Sequence, residues 1–193
     1  MKTRIKTYVL SSFVMMVFMA EATGQTRRST TTVTTTVSKN TVNRRIPSTK
    51  VTYKTPKRKV VSVRTLPNRT VVKQNGQNYY YANNKYYTQS RGRYIVIAPK
   101  VGFRVAVLPT HYRRIIHHTN TYYNAQGIFY IQVNNGYEVV DPEVGTIVYE
   151  LPADYEKVVI DGQSYYEYAN ILYEKIQVDG TRAYEVVGII DME

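Results

Sequence analysis

The sequence predicts an all-β protein, and three observations support that fold class. Short runs rich in Val, Ile and Tyr are separated by Asn-Gly, Asn-Asn and Asp-Gly pairs, which supply the positive φ angles that hairpin turns need. No segment has the apolar spacing of an amphipathic helix. A set of landmark residues recurs every 43 residues, and a repeat of this length indicates small units that stack on one another.

Three prolines at matching places define the repeat. The units that they open are 56–98, 99–141 and 142–193. Each unit continues with a Leu-Pro pair and with a Tyr-Tyr pair that starts fourteen residues after that Leu, and it closes on a strand-like run that begins with Tyr. A unit this short buries only a small core. We therefore expect the units to form either a row of small SH3-like barrels or one continuous twisted antiparallel sheet.

Five short strands are expected in the first unit. The predicted strands are Lys59–Arg64, Val71–Gln74, Asn78–Ala82, Lys85–Gln89 and Tyr94–Ala98. The other units follow the same pattern, and the third adds about four residues before Tyr184. The prolines are compatible with this prediction, because proline is tolerated at strand edges, first positions and bulges.

The first 22 residues predict a secretory signal peptide. Basic residues precede an apolar run from Val9 to Ala20, and a small-x-small cleavage site ends at Ala22. The apolar run is shorter than the ~20 residues that a membrane-spanning helix needs. We therefore expect export to the periplasm, the cell surface or the medium, with cleavage after Ala22 or before Gln25. We expect no transmembrane segment in the mature protein.

Residues 23–55 form a basic, Thr-rich segment of different composition. The segment holds seven Lys and Arg and no Asp or Glu, and it has little apolar surface to bury. Low hydrophobicity with unopposed charge predicts a disordered arm. The Thr and Val content of the arm would also permit a strand added to a partner.

The landmarks of the repeat carry a resemblance to a known family. The Tyr-Tyr hairpins, the motif Pro-x-Val-Gly at 99–102 and 142–145, and the Leu-Pro pairs resemble an uncharacterised family of exported bacterial proteins, known as a domain of unknown function. The resemblance covers residues 56–187 and implies export and β-structure. It implies no agreed activity and no site residues. Lys100 and Glu143 stand where that family often has a second proline.

Few residues of the types that carry chemistry are present. The chain has no Cys, which excludes disulfides, thiol nucleophiles and Cys-ligated zinc. If residues 113–118 form a strand, His117 and His118 point to opposite faces and do not share a metal ion. We interpret both of them, and His111, as partly exposed strand residues. We therefore expect no metal, no cofactor and no catalytic residue.

Carboxylates concentrate in the third unit. Paired carboxylates can hydrolyse glycosides. These acids lie in turns or alternate with apolar residues, which is typical of solvated strand faces. A small envelope hydrolase, or an inhibitor of one, is therefore the alternative function. The acidic residues of this unit are Glu143, Glu150, Asp154, Glu156, Asp161, Glu167, Glu174, Asp179, Glu185, Asp191 and Glu193.

Tyrosine is unusually frequent, at 20 residues of 193. Neighbouring strand residues face opposite sides, so each hairpin must bury at least one ring and leaves room for another outside. Most rings are expected in the core, where they stabilise cross-strand pairs. An exposed ladder of rings at the unit spacing would instead form a stacking platform for sugars or peptides. The residues predicted for that platform are Tyr80, Tyr87, Tyr123, Tyr130, Tyr166 and Tyr173.

Charge changes in order along the mature chain. The first unit has nine basic and no acidic residues, the second has four and two, and the third has three and eleven. Such a molecule can bind anionic envelope polysaccharide through its basic arm, or associate with itself through its first and third units. Export makes nucleic acid an unexpected partner. The predicted function is that of an exported, non-enzymatic envelope protein with a structural or assembly role, which binds glycans or protein partners through its Tyr-rich β units.

Overall fold

The structure, a computed structural model, describes residues 44–55 and 60–192. Strands dominate in these residues, and the single helical element there is a 3-10 turn at Ser48–Lys50. The all-β prediction is confirmed. The predicted signal peptide, residues 23–43 of the arm and residues 56–59 of the first unit lie outside the described residues.

The described strands form three separate sheets, which follow one another along the chain except that β1 and β2 belong to the last sheet. Sheet 1 consists of β3 (Ser62–Val63), β4 (Thr70–Gln74), β5 (Gln77–Ala82), β6 (Lys85–Ser90) and β7 (Arg93–Ile97). Sheet 2 consists of β8 (Arg104–Val105), β9 (Arg113–His117), β10 (Asn120–Ala125), β11 (Ile128–Val133) and β12 (Gly136–Val139). Sheet 3 consists of β13 (Ile147–Val148), β14 (Glu156–Ile160), β15 (Gln163–Tyr168), β16 (Ile171–Val178) and β17 (Thr181–Asp191), together with β1 (Arg45–Pro47) and β2 (Thr52–Tyr53).

Sheets 1 and 2 have the same strand order. In each, the short first strand pairs with the last strand, and the remaining strands follow as antiparallel hairpins, giving β3-β7-β6-β5-β4 and β8-β12-β11-β10-β9. In sheet 3 the order of the corresponding strands is β13-β17-β16-β15-β14. The alternative of one continuous sheet is therefore not formed. Four of the five strands predicted for the first unit agree with the structure to within one residue at each end, and the described part of the other is confined to Ser62–Val63.

The end of the predicted arm differs from the prediction. Residues 44–55 are not disordered but hold two strands, of which β1 pairs with β17 in parallel and β2 pairs with β14. Ile46 is buried with Val158 and Leu172, and Tyr53 packs against the same cluster. Composition predicted disorder because the segment is basic overall. Its few apolar residues nevertheless pack on sheet 3, and its two strands pair with the edges of β17 and β14.

The extra residues of the third unit lengthen its last hairpin. β16 has eight residues and β17 has eleven, against six and five in the matching strands of sheet 1. The pairing shifts register at a bulge between Leu172 and Tyr173. The added length of β17 gives it room to pair with β13, with β16 and with β1.

Two connections join the sheets, and both make the same kind of backbone hydrogen bond. The first connection, residues 98–103, leads from sheet 1 to sheet 2, and the second connection, residues 140–146, leads from sheet 2 to sheet 3. In the first, the Gly102 N–H donates to the Val139 carbonyl at 2.8 Å. In the second, the Gly145 N–H donates to the Val186 carbonyl at 2.8 Å.

Aromatic rings fill the space between neighbouring sheets. Tyr86 of sheet 1 packs in one buried cluster with Phe103 and Tyr130. Phe129 of sheet 2 packs in another with Tyr173 of sheet 3. Because neighbouring residues of a strand face opposite sides, Phe129 and Tyr130 of β11 serve the two clusters on opposite faces of sheet 2.

Candidate functional site

A candidate site is a groove of about 890 Å³ beside the edge strand of sheet 2. One wall is β9 with the residues before it, and the other is β13 with the residues after it. β9 ends the strand order of sheet 2, so its outer edge faces away from that sheet. The volume lies within the range of ordinary ligand pockets, roughly 300–1,000 Å³.

Exposed side chains on both walls give the groove an amphipathic lining. Tyr112 and Tyr149 are 48% and 56% exposed, and Ile116 of β9 is also exposed. The Arg113 Nε donates to the Glu150 Oε1 at 3.0 Å, which links the two walls. Both partners of that ion pair are largely exposed, so it contributes less than about 1 kcal/mol to stability. The groove therefore presents flat rings together with charged groups.

Gly127 allows close packing at one end of the groove. It lies in the turn between β10 and β11 with φ +78°, a conformation that glycine adopts readily. A Cβ at this position would lie 2.6 Å from the Pro152 Cγ and 2.6 Å from the Tyr168 Cδ1. Glycine is needed here because sheet 3 approaches the turn this closely.

Three of the predicted platform tyrosines are the central members of side-chain rows across the sheets. In sheet 2 the ring of Tyr123 lies 5.6 Å from that of Tyr112 and 5.3 Å from that of Tyr137, in edge-to-face geometry. In sheet 3, Tyr166 lies between Tyr155 and Tyr184.

Sheet 1 has a row of the same kind. Tyr80 lies against Tyr94, and the Arg69 guanidinium covers both rings. Tyr80, Tyr123 and Tyr166 are each partly buried, so these rows are not fully exposed ladders of rings.

The other three predicted platform residues lie in the core. Tyr87, Tyr130 and Tyr173 are directly opposite Tyr80, Tyr123 and Tyr166 across their hairpins. Each of the three is buried, and Tyr130 and Tyr173 have 0% exposure. Burial raises the pKa of Tyr130 and of Tyr173, because a tyrosinate would have to lose its water there. They stabilise the fold and offer no surface to a ligand.

His117 is a partly exposed strand residue as expected, whereas His118 lies outside the strand that was predicted for residues 113–118. β9 ends at His117, and His118 adopts φ +50° in the turn that follows, so the strand alternation does not apply to it. The two rings lie 4.0 Å apart between centroids. His117 Nε2 and His118 Nδ1 lie 3.9 Å and 3.4 Å from the Glu143 Oε2. A single turn residue with positive φ brings the three side chains together.

One third-unit carboxylate also departs from its predicted setting. Glu167 is 7% exposed, and its Oε1 accepts the backbone N–H of Asn170 at 2.8 Å. This bond fastens the turn between β15 and β16. Glu167 is therefore a structural residue beneath the turn and not part of a solvated face.

The hairpin pattern did not predict the two exposed tyrosines of the groove. Tyr112 and Tyr149 lie immediately outside short strands, where the alternation of strand residues does not predict which side chains are exposed. A signal for Tyr112 was present in the repeat itself. Tyr112 follows the Leu-Pro pair of its unit by three residues, as Tyr155 does in the third unit, whereas the first unit has Thr70 at that position.

Comparisons with known proteins place the chain in one family. Residues 53–190 match the model of a family of unknown function, DUF6515, which confirms the resemblance to an uncharacterised domain family. No curated protein and no solved structure matches the chain. No helix in residues 44–55 and 60–192 is long and apolar enough to span a membrane.

Proposed function

We propose a non-enzymatic binding function for this chain, which belongs to the family of unknown function DUF6515. The protein is exported to the bacterial envelope, where it has a structural or assembly role. It binds glycans in the groove between β9 and β13. The observation that carries this proposal is the pair of exposed tyrosines, Tyr112 and Tyr149, in a groove of about 890 Å³.

The lining of the groove has the chemistry that sugars require. A tyrosine ring covers the apolar face of a pyranose at low entropic cost, and the neighbouring polar groups bind its hydroxyls. The groove presents Arg113, Arg114, Asn124 and Glu150 for that purpose. Tyr112 is supported from behind by Tyr123, so its ring is already oriented before a ligand arrives.

The same lining supports binding rather than hydrolysis. Glycoside hydrolysis by the common mechanism needs two carboxyl groups that flank the scissile bond. Among the described residues that line the groove, Glu150 is the one carboxylate, and it pairs with Arg113. A hydrolase or hydrolase inhibitor acting through the third-unit carboxylates remains the alternative.

Protein partners are a second candidate class, which the edge position of β9 favours. An extended peptide can add to an exposed sheet edge through its backbone groups. β9 is such an edge, and its outer side lines the groove.

The basic arm is proposed to bind anionic polysaccharide, and the charge difference between the first and third units is proposed to support self-association.

Binding to glycans tests the proposal directly. The mature protein is mixed with soluble peptidoglycan glycan strands and with a neutral β-glucan, and affinity is measured by calorimetry. Tyr112→Ala and Tyr149→Ala should each weaken binding about fivefold, since a lost stacking contact is worth about 1 kcal/mol. The matched control is Tyr155→Ala, which removes the equivalent ring of sheet 3 outside the groove and should leave affinity unchanged.

Three results would contradict the glycan proposal. Binding that is equal in all four proteins would place the ligand elsewhere. Binding of extended peptides but not of glycans would favour the edge of β9. Steady release of reducing ends, abolished by Glu150→Gln, would favour the hydrolase.

A further inference from the structure

A cluster of three metal-ligating side chains lies at the second connection. His117, His118 and Glu143 each offer one ligand atom, a ring nitrogen or a carboxylate oxygen, and these three atoms lie within 4.8 Å of one another. His117 is the last residue of β9, His118 lies in the turn before β10, and Glu143 lies in the second connection. The cluster is separate from the glycan contacts proposed above and does not depend on them.

The spacing of the cluster fits a tetrahedral zinc site. With metal–ligand bonds of about 2.0–2.1 Å, two ligands of a tetrahedral ion lie ~3.3 Å apart. The two nitrogens lie 3.9 Å and 3.4 Å from the Glu143 Oε2, so these two separations need to shorten by less than about 1 Å. Two histidines and one glutamate are a known ligand set for Zn²⁺ that keeps a fourth position open.

The side chains of the cluster are oriented by neighbours. The Asn120 Nδ2 donates to the Glu143 Oε1 at 2.7 Å, which leaves Oε2 turned toward the histidines. The Glu143 backbone N–H donates to the Tyr122 hydroxyl at 3.3 Å. Outer contacts of this kind fix the direction of a ligand and commonly change metal affinity 10–100-fold.

The His117 ring is held in a confined place. A Cβ at Gly145 would lie 3.1 Å from the His117 Cε1, so the glycine leaves just enough room for the imidazole. His117 Nε2 is buried and has no hydrogen-bond partner. A buried polar atom without a partner costs about 1–3 kcal/mol, which a bound cation would offset.

The first connection shows what the same positions hold when they serve the fold alone. Gln74 ends β4 as His117 ends β9, and Asn75 begins the next turn as His118 does, with φ +47° against +50°. Lys100 occupies the position of Glu143 in the motif Pro-x-Val-Gly. All three positions therefore differ between the two connections. The first connection holds an amide pair and a lysine, and the second holds two histidines and a glutamate, which are side chains that bind metal cations.

We propose that His117, His118 and Glu143 bind one Zn²⁺ ion. The ion links the β9–β10 hairpin of sheet 2 to the segment that leads into sheet 3. Its fourth position is available to water or to a donor atom of a ligand, since His117 and Gly145 also line the groove. This assignment replaces the expectation that the two histidines point apart.

The test is a titration of the full chain, without an affinity tag, with Zn²⁺ alone against a chromogenic chelator. Wild type should bind one ion per chain, and Zn²⁺ should raise its melting temperature. His118→Asn and Glu143→Gln should each weaken binding by more than about 100-fold and abolish the thermal shift. His118→Asn keeps the backbone, because asparagine holds the same φ at Asn75.

A matched control separates the site from casual binding to histidine. His111→Asn replaces an exposed histidine, also at positive φ, that is not in the cluster, and it should bind Zn²⁺ like wild type. Circular dichroism without metal should be the same for all variants. The proposal is overturned if wild type binds no stoichiometric ion, or if His118→Asn and Glu143→Gln bind as tightly as wild type.

Discussion

The first and second connections have the same backbone hydrogen bonds but different side chains. In the first, the Phe103 N–H donates to the Lys100 carbonyl at 3.0 Å, and in the second the Thr146 N–H donates to the Glu143 carbonyl at 3.1 Å. The turn closed by these bonds is the same at both places, whereas the side chains around it differ.

At the first connection the side chains serve the fold. The Gln74 Nε2 donates to the Gly102 carbonyl at 3.1 Å, so the end of β4 is fastened to the turn by a hydrogen bond. At the second connection His117 occupies the position of Gln74 and packs on Gly145. Its Nε2 has no hydrogen-bond partner, which is consistent with the zinc site proposed above.

The two sheet interfaces also differ at the turns between β5 and β6 and between β10 and β11. Asn84, in the turn between β5 and β6, accepts hydrogen bonds from Thr110 at 2.9 Å and from Tyr81 at 3.1 Å. The matching residue between β10 and β11 is Gly127, against which Pro152 and Tyr168 lie directly. One interface is closed by polar contacts and the other by close approach. The second is also the one that carries the groove and the histidine cluster.

The largest effect is expected from closing the space at Gly127. Gly127→Ala would place a Cβ 2.6 Å from Pro152 and Tyr168, so we expect a loss of about 3 kcal/mol or more in the free energy of unfolding. Gly76→Ala is the matched control, because Gly76 has φ +75° and nothing lies within 4 Å of its Cβ position. It should cost only about 1 kcal/mol. Equal losses in urea denaturation would mean that close approach does not hold the second interface.

Alkali should weaken both interfaces at once. Burial raises the pKa of Tyr86 to about 12 in the folded chain, against 10.0 for an ordinary tyrosine. The unfolded chain therefore loses this proton first. The stability contributed by the neutral hydroxyl is complete below pH 10 and is lost as the pH rises to about 12, a change on the order of 3 kcal/mol.

Burial also raises the pKa of Tyr173 at the second interface, so we expect a single transition by circular dichroism that coincides with tyrosinate absorbance. Tyr86→Phe should move the transition to higher pH. A transition that is unchanged in Tyr86→Phe would show that this hydroxyl does not control alkaline unfolding.

The smallest effect is expected at the first interface. Asn84→Gly keeps the positive φ of +58° but removes the acceptor of two hydrogen bonds, and it should cost about 1 kcal/mol. Asn170→Gly is the control, because Asn170 is exposed in the matching turn of sheet 3, with φ +67°. Its unfolding free energy should change by less than about 0.5 kcal/mol. The polar account of the first interface fails if the two variants are equally stable.

The sequence predicted the strands better than it predicted the sites. Alternation and turn residues located the hairpins, because a two-residue periodicity is a local property of the chain. The same alternation could not say which of Tyr166 and Tyr173 is buried. They are direct partners across one hairpin, and Tyr173 is the buried one because sheet 2 packs against it.

The candidate sites depend on contacts that no local pattern contains. Tyr112 and Tyr149 become neighbours of one groove only when sheets 2 and 3 pack, although 36 residues separate them in the chain. His118 joins His117 and Glu143 because one turn residue adopts positive φ. The pattern predicted a strand there, since asparagine, aspartate and glycine mark such turns more clearly than histidine does.

The sequence by itself determined the fold class, the hairpin positions and the absence of any cysteine chemistry. These follow from composition and from interactions between residues close in the chain. Only the tertiary structure decided that residues 44–55 add strands to sheet 3, which tyrosines are exposed, and that two histidines and a glutamate converge. The physical reason is that burial and ligand geometry arise between sheets, where the distance along the chain no longer limits which side chains meet.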